Sequence, residues 1–483
     1  MNPQIVKLFG VVLVLYALLF GFTSYWSIFD SEGLEANVAN KRPLLEEQRI
    51  KRGRILGADG TVIAKSNPRG RGGDRTFVRS YPQGDLFGNP IGYSFVERGR
   101  VGFELSHNDE LVGEKTEFLS IIDTLRGAAQ EGSDVQSSLD PEAQETAIDA
   151  LGGQKGSVVA IVPETGEIPV MASIPQYDPD DVATSEGFEA LNEDPDAPLF
   201  NRATQAGYQP GSVMKVVTAT AALDSDEFEP DTVLNADSPK EISGVPLENA
   251  GGQSFGDIDM ETALTNSVNT YWAQVGEDLG TDTMYEYMDR FGFNDEPPLD
   301  YPSFQLAASG EFADGRLLEA GSDQIDVGRM AIGQDKLNVT PLQMAMVAAA
   351  VANGGELMEP RLWSKVIDSD GREEKLDPER ISSVMDEDTA ETLTGMMEDV
   401  VNEGTGGAAA LAEDQVAGKT GTAEITLDGV NQAWFIGFAP ADDPRFAIAA
   451  TIERTSGQGG TVAAPVAQQV LEVLLANSSG DED

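Results

Sequence analysis

The hydrophobic pattern opens with residues 8–28, an unbroken stretch without a charged side chain. As a helix it is about 31 Å long, enough to cross the hydrocarbon of a bilayer. Lys7 precedes it, and Asp30, Glu32 and Glu35 follow, so the positive-inside rule keeps the tail cytoplasmic and everything after Asp30 outside. Tyr25 and Trp26 fall at the outer interface. The run is long for a signal peptide and no A-x-A site follows it, so the reading is an uncleaved anchor. Beyond it, residues 61–64 and 75–78 are β-prone pieces set among glycines, with Asp59-Gly60 as a turn. Residues 157–162 and 168–174 are apolar runs joined by Pro163-Glu164-Thr165-Gly166-Glu167, which predicts a hairpin. The acidic, proline-containing stretch 177–198 reads as a loop. Helical patterns follow. The clearest starts at Thr340, with Pro341 at the first helical position and Gln343 completing a capping box, and stops at Asn353-Gly354-Gly355. Strand patterns return at 416–425, 432–438 and 446–453, separated by Asp428-Gly429 and by Asp442-Asp443-Pro444; a last helix covers 466–476. Strands at both ends of a mostly helical middle predict an α/β sandwich whose sheet is closed by distant segments. No internal repeat is present.

With 483 residues the chain has room for two to four domains and a sizeable core. Its charge changes the picture more than its length. Lys+Arg 32 against Asp+Glu 82 leaves −50, which argues against a nucleic-acid partner. The bland reading of that excess is a solvated surface. There is no cysteine, hence no disulfide, thiolate metal site or thiol nucleophile. The single histidine, His107, lies in the polar stretch Ser106-His107-Asn108-Asp109-Glu110 and is expected in an exposed loop, so the general base is not expected to be a histidine.

Two motif look-alikes fail on context. Gly418-Lys419-Thr420 has Glu413 where a phosphate-binding loop needs its first glycine, and Gly404-Thr405-Gly406 follows a helical stretch where a dinucleotide fingerprint needs a strand. Ser212-Val213-Met214-Lys215 is different: on a helix, residues three apart share a face, so the Lys215 amine can activate the Ser212 hydroxyl. One such pattern is expected by chance in a chain of this composition. Ser267-Val268-Asn269 adds a second hydroxyl for proton relay and an amide to hold a carbonyl. Ser106-His107-Asn108 has the same form, so this tripeptide too is weak alone. Lys419-Thr420-Gly421-Thr422, on a predicted strand, offers a glycine for close approach and a lysine and hydroxyls suited to an anionic terminus. Such a strand can also bind an extended peptide.

In this order the three motifs resemble the active-site set of penicillin-binding proteins and serine β-lactamases. Within that superfamily the chain is similar to class B penicillin-binding proteins. Asn201-Arg202-Ala203 with Pro210-Gly211-Ser212 looks like the approach to the family's nucleophile; Gly404-Thr405-Gly406 and Ala433-Trp434-Phe435-Ile436-Gly437-Phe438 resemble its late motifs. Arg52-Gly53-Arg54-Ile55 with Asp59-Gly60 resembles the class B pedestal. Arg79-Ser80-Tyr81-Pro82, Gly92-Tyr93 and Gly102-Phe103-Glu104 resemble the actinobacterial PbpA subgroup. Gln432 departs from the histidine many relatives carry, and the acidity exceeds what the subgroup leads one to expect.

The resemblance implies a penicillin-binding-protein/serine β-lactamase-like α/β domain, an antiparallel sheet between helical layers, above a β-rich pedestal and one transmembrane helix. The expected division is 1–29 tail and anchor, 30–152 pedestal (dimerisation-like), 153–476 transpeptidase domain and 477–483 acidic tail. The implied activity is D,D-transpeptidation of peptidoglycan stem peptides through a serine acyl-enzyme that penicillin also forms, in cell-wall synthesis. Ser212 is the implied nucleophile, Lys215 its base, Ser267 the proton relay and Lys419 its electrostatic partner. Asn269 orients the substrate amide, Thr420 and Thr422 the terminal carboxylate, and Gly421 lets the substrate approach. Backbone N–H groups of Ser212 and Thr422 form the implied oxyanion hole. The resemblance implies no metal and no cofactor. Partners implied are the cell membrane, β-lactams and a membrane glycosyltransferase of the division or elongation machinery. The alternatives are a β-lactamase or D,D-carboxypeptidase, a β-lactam sensor, for which the short tail before Lys7 leaves no transmitter, and a non-catalytic scaffold.

Overall fold

The computed structural model describes residues 3–25, 45, 47–71, 75–113, 131–426 and 429–479. Trp26, Asp30, Glu32, Glu35, Asp428 and the end of the acidic tail, all invoked above, lie outside the described residues. The N-terminal part comprises α1 (Pro3–Ser24) and the strands β1 (Ile55–Leu56), β2 (Val62–Arg69), β3 (Thr76–Ser80) and β4 (Asp134–Ser137). Then come α2 (Pro141–Leu151), the hairpin β5 (Gly156–Ile161) and β6 (Val170–Ile174), α3 (Lys215–Asp224) and α4 (Asn269–Arg290). The last part holds β7 (Gly310–Ala313), β8 (Leu337–Asn338), α5 (Pro341–Ala352), β9 (Trp363–Ile367), β10 (Glu373–Lys375) and α6 (Glu387–Asn402). It ends with β11 (Ala417–Thr426), β12 (Val430–Ala439), β13 (Phe446–Thr455) and α7 (Ala464–Ser479).

The expected sheet closure is present. β11-β12-β13-β5-β6 form one five-stranded sheet in which the C-terminal strand β13 pairs antiparallel with β5, near the start of the domain. Alternation along the strands sorts its two faces. Trp434, Ile436 and Phe438 of β12, with Val159 of β5, pack into the core that includes α5. Ala433, Phe435 and Ala439, with Val158, pack against α2 and α7. α5 is buried on nearly all sides, as its lack of any charged residue predicts. Its N-cap forms as expected, Thr340 accepting the Gln343 N–H at 3.1 Å. The capping box does not, because the Gln343 side chain donates to the Phe291 carbonyl and the Thr340 N–H goes to Ser309. Burial gave both groups competing partners.

The pedestal sheet runs β10-β9-β4-β1-β2-β3, so a hairpin from residues 363–375 completes a sheet begun more than two hundred residues earlier. α2, by contrast, packs its Ala143, Ala147 and Leu151 into the catalytic core beside α7. The pedestal motifs meet at one buried carboxylate. Glu104 accepts from Arg52 at 2.9 Å, from Arg79, and from the Tyr81 hydroxyl at 3.1 Å. Burial alone would raise Glu104; Arg79 and Arg52 outweigh it and hold the carboxyl at about 2.

Two local expectations need correction. His107 is not in an exposed loop but buried, with Nε2 3.0 Å from Asp300 Oδ2 and its ring against Phe103 and Trp363. Asp300 also accepts the Leu362 N–H, so the polar-looking stretch is linked through Asp300 to the start of β9. Residues 177–198 contain two short helices, Pro179–Val182 and Ser185–Glu193, capped by Asp178 and Thr184. α1 is long and apolar enough to cross a membrane, with mean hydropathy 2.5. The 20-residue segment Gly459–Ser478, which also passes that test, is half buried; the part of it in α7 packs against the sheet.

Candidate active site

Pro210-Gly211 turns the chain into the helix that carries Ser212. Gly211–Met214 form a single 3-10 turn that runs straight into α3. Ser212 and Lys215 therefore share a face, with Lys215 Nζ 3.0 Å from Ser212 Oγ. Gly211 has φ +56°, and a Cβ there would lie 3.0 Å from the Thr422 carbonyl group. A Cβ on Gly333 would come 2.0 Å from the Gly211 carbonyl oxygen. The first of these close approaches brings β11 to the nucleophile's turn, the second the segment before β8.

Ser267 stands between the helix Met260–Thr265 and α4 at φ +57°, a conformation that costs a non-glycine residue about 1–2 kcal/mol. The turn aims its carbonyl and hydroxyl at Lys215 Nζ, at 2.8 and 3.2 Å. Asn269 opens α4 and places Oδ1 2.7 Å from the same nitrogen, while its Nδ2 donates to the Glu248 carbonyl at 3.2 Å. A neutral amine has two N–H donors and one lone pair. The Ser267 carbonyl and Asn269 Oδ1 can only accept, so they use both donors, and the lone pair remains for the Ser212 proton. Lys215 is fully buried; that burial, and then the charge of Lys419, push its ammonium well below the ordinary lysine value. The arrangement thus favours the base form that the serine needs.

Lys419 is fully buried on β11, and burial lowers it to about 7. Its Nζ donates to the Thr420 carbonyl at 3.1 Å. β11 is an edge strand, with Thr420 and Thr422 on one face. Thr422 Oγ1 accepts the Gly459 N–H at 3.1 Å, and Thr420 Oγ1 lies 2.6 Å from Thr405 Oγ1. Gly421 is required by packing, since a Cβ would meet the Pro210 carbonyl oxygen at 2.6 Å.

All eight expected residues converge. Ser212, Ser267, Asn269, Thr420 and Thr422 line a cleft of about 870 Å³, and Gly421 lies between two of its lining residues. The two lysines are buried, with Lys215 hydrogen-bonded to three of the lining side chains. The cleft also takes in Thr405, Glu248, Gln334 and Asp335, none of which was expected as a site residue. Thr405 had a signal, the Gly404-Thr405-Gly406 motif; the other three reach the cleft only through folding. Among the described residues no group of three or more Asp, Glu or His is placed to hold a metal ion.

Residues 156–472 match the family model for the penicillin binding protein transpeptidase domain, and residues 52–135 that for the penicillin binding protein A dimerisation domain. The chain belongs to the penicillin-binding protein transpeptidase family. It is 33% identical to the peptidoglycan D,D-transpeptidase PbpA of Mycolicibacterium smegmatis over 99% of this chain and 100% of that one. It is 31% identical to the PbpA of Mycobacterium tuberculosis over 98% of this chain and 99% of that one. The structure of penicillin-binding protein A from M. tuberculosis as a ceftriaxone acyl-enzyme superposes with TM-score 0.79, at 29% identity, over 89% of this chain and all of that one. A transpeptidase domain from Eggerthella lenta gives 0.78 at 33% identity, over 89% and 99%. The hairpin 363–375 lies within the transpeptidase match although its strands pair in the pedestal sheet.

Proposed function

We propose that this chain is a peptidoglycan D,D-transpeptidase, anchored by α1 with its tail in the cytoplasm and its catalytic part outside. The observation that carries the reading is the buried Lys215 Nζ, 3.0 Å from Ser212 Oγ and within hydrogen-bond reach of the Ser267 carbonyl and Asn269 Oδ1. Ser212 Oγ attacks the carbonyl between the two terminal D-alanines of a stem peptide, and its proton passes to Lys215. The tetrahedral oxygen is met by the N–H groups of Ser212 and Thr422, each worth about 3–4 kcal/mol in such a role. The C–N bond breaks, Ser267 relays a proton to the leaving amine, and D-alanine departs. A neighbouring stem's amine then attacks the ester, forms the cross-link and returns the serine. Asn269 has one N–H left for the substrate amide; Lys419 tunes Ser267 electrostatically, and Thr420 and Thr422 orient the terminal carboxylate.

The packing of α2 favours counting residues 141–152 with the catalytic part, and the pairing of β9 with β4 favours counting the 363–375 hairpin with the pedestal. Stem peptides hang from glycan strands, so the proposed partner is a membrane glycosyltransferase of the division or elongation machinery. Intact-mass spectrometry of the detergent-solubilised chain after benzylpenicillin tests the reading. One adduct is expected, absent in Ser212→Ala and persisting for many minutes. An adduct retained in Ser212→Ala removes the nucleophile. Nitrocefin turnover at several per second would instead make the chain a β-lactamase.

A further inference from the structure

The carboxylate end of the cleft holds one hydroxyl more than the reaction above uses. Thr405 follows α6 and is exposed, whereas Thr420, the residue expected to meet the ligand, is 6% exposed. Their hydroxyl oxygens are 2.6 Å apart, so one donates to the other. Each hydroxyl has a single proton. If Thr420 spends its proton on Thr405, the free proton is on Thr405, the member that opens into the cleft. Thr422 is oriented by a separate contact: its oxygen accepts the Gly459 N–H, which turns its own proton away from that backbone. Backbone also holds Thr405 in place, because a Cβ on Gly460 would lie 2.3 Å from the Thr405 carbonyl oxygen. The two segments can approach that closely only with glycine there.

We propose that Thr405 is a substrate-binding residue whose hydroxyl, fed by the Thr420 O–H, donates to the terminal carboxylate of the ligand alongside Thr422. Thr420 then acts through Thr405 as a positioning residue. A chain of hydroxyls polarises along its length, so the outer O–H is a stronger donor than an isolated one. The proposal rests on the transpeptidase reading and deepens it by assigning the carboxylate anchor.

The test compares benzylpenicillin with its methyl ester as acylating agents of the full chain, by the second-order rate of adduct formation at Ser212. Thr405→Val keeps the shape and removes the hydroxyl; Thr405→Ser keeps the hydroxyl. A charge-assisted hydrogen bond corresponds to a loss of about 10- to 100-fold. Thr405→Val is expected to lose that factor against benzylpenicillin and stay within about threefold of the unchanged chain against the ester, which has only a weak acceptor there. Thr405→Ser is expected to recover the preference for the free acid. Equal losses with both ligands would make Thr405 structural and overturn the proposal, as would an unchanged preference in Thr405→Val. A chain that forms no adduct without substitution would overturn the transpeptidase reading and this proposal together, a result distinct from either.

Discussion

Glu311 is a carboxyl in the wrong place for a stable charge, and its removal should change how the protein responds to pH. It sits on β7, fully buried, and neither oxygen reaches a partner at normal hydrogen-bond geometry. Burial first, then Asp335, push it from 4.5 up to about 8, and Lys336 pulls it back only in part. β7 pairs with β8 through Glu311 and Leu337, and β8 follows Gln334 and Asp335 of the cleft wall. In the unfolded chain the group ionises near 4.5; in the fold it stays protonated to about 8. Its contribution to stability is therefore complete below pH 4.5 and is lost as pH rises through 8, at about 1.4 kcal/mol per pH unit. Between pH 5 and 8 that amounts to about 3–4 kcal/mol. Glu311→Gln has nearly the same shape and no titration. Thermal unfolding of the solubilised chain and of this variant at pH 5, 6, 7 and 8 should give midpoints that start close together. They should then diverge in favour of the variant by on the order of 5 °C. Parallel curves would show that Glu311 ionises normally and refute the reasoning.

Lys419, held at about 7 by burial, should give the acylation rate an alkaline limb: benzylpenicillin acylation falls as pH rises through 7, and Lys419→Ala shows a low rate without that limb. Glu104→Gln takes the counter-charge from buried Arg79, leaves Arg52 only Glu47 at 3.4 Å, and should destabilise the pedestal by about 3–5 kcal/mol, read as a lower unfolding midpoint at pH 7. At −50 the folded surface repels itself, and the Debye length shrinks from about 30 Å at 0.01 M to about 3 Å at 1 M, so the midpoint should rise toward molar NaCl or KCl. A midpoint flat in salt, with sucrose as control, would mean the acidity is only compositional.

The strands of the central sheet, its hairpin and α5 were legible because their patterns are local: alternation marks β12 and β13, and Thr340-Pro341 marks a helix start whatever surrounds it. The same holds for the chemistry of Ser212 and Lys215, since two residues three apart on one helical turn meet without help from the rest of the chain. What a side chain meets across the fold is not written locally. His107 looks solvated in its own stretch and is buried because Asp300 and Trp363 arrive from nearly two hundred residues away or more. The Gln343 amide left its capping box for a carbonyl that only packing supplies. The pedestal sheet needed a hairpin from 363–375, and no periodicity says which sheet a strand will join. Motif order alone could not say how Lys215 divides its hydrogen bonds or that the Thr405 hydroxyl meets that of Thr420. Those depend on distances of a few ångströms between segments far apart in the chain, and only the packed backbone around Gly211, Gly333 and Gly460 sets them.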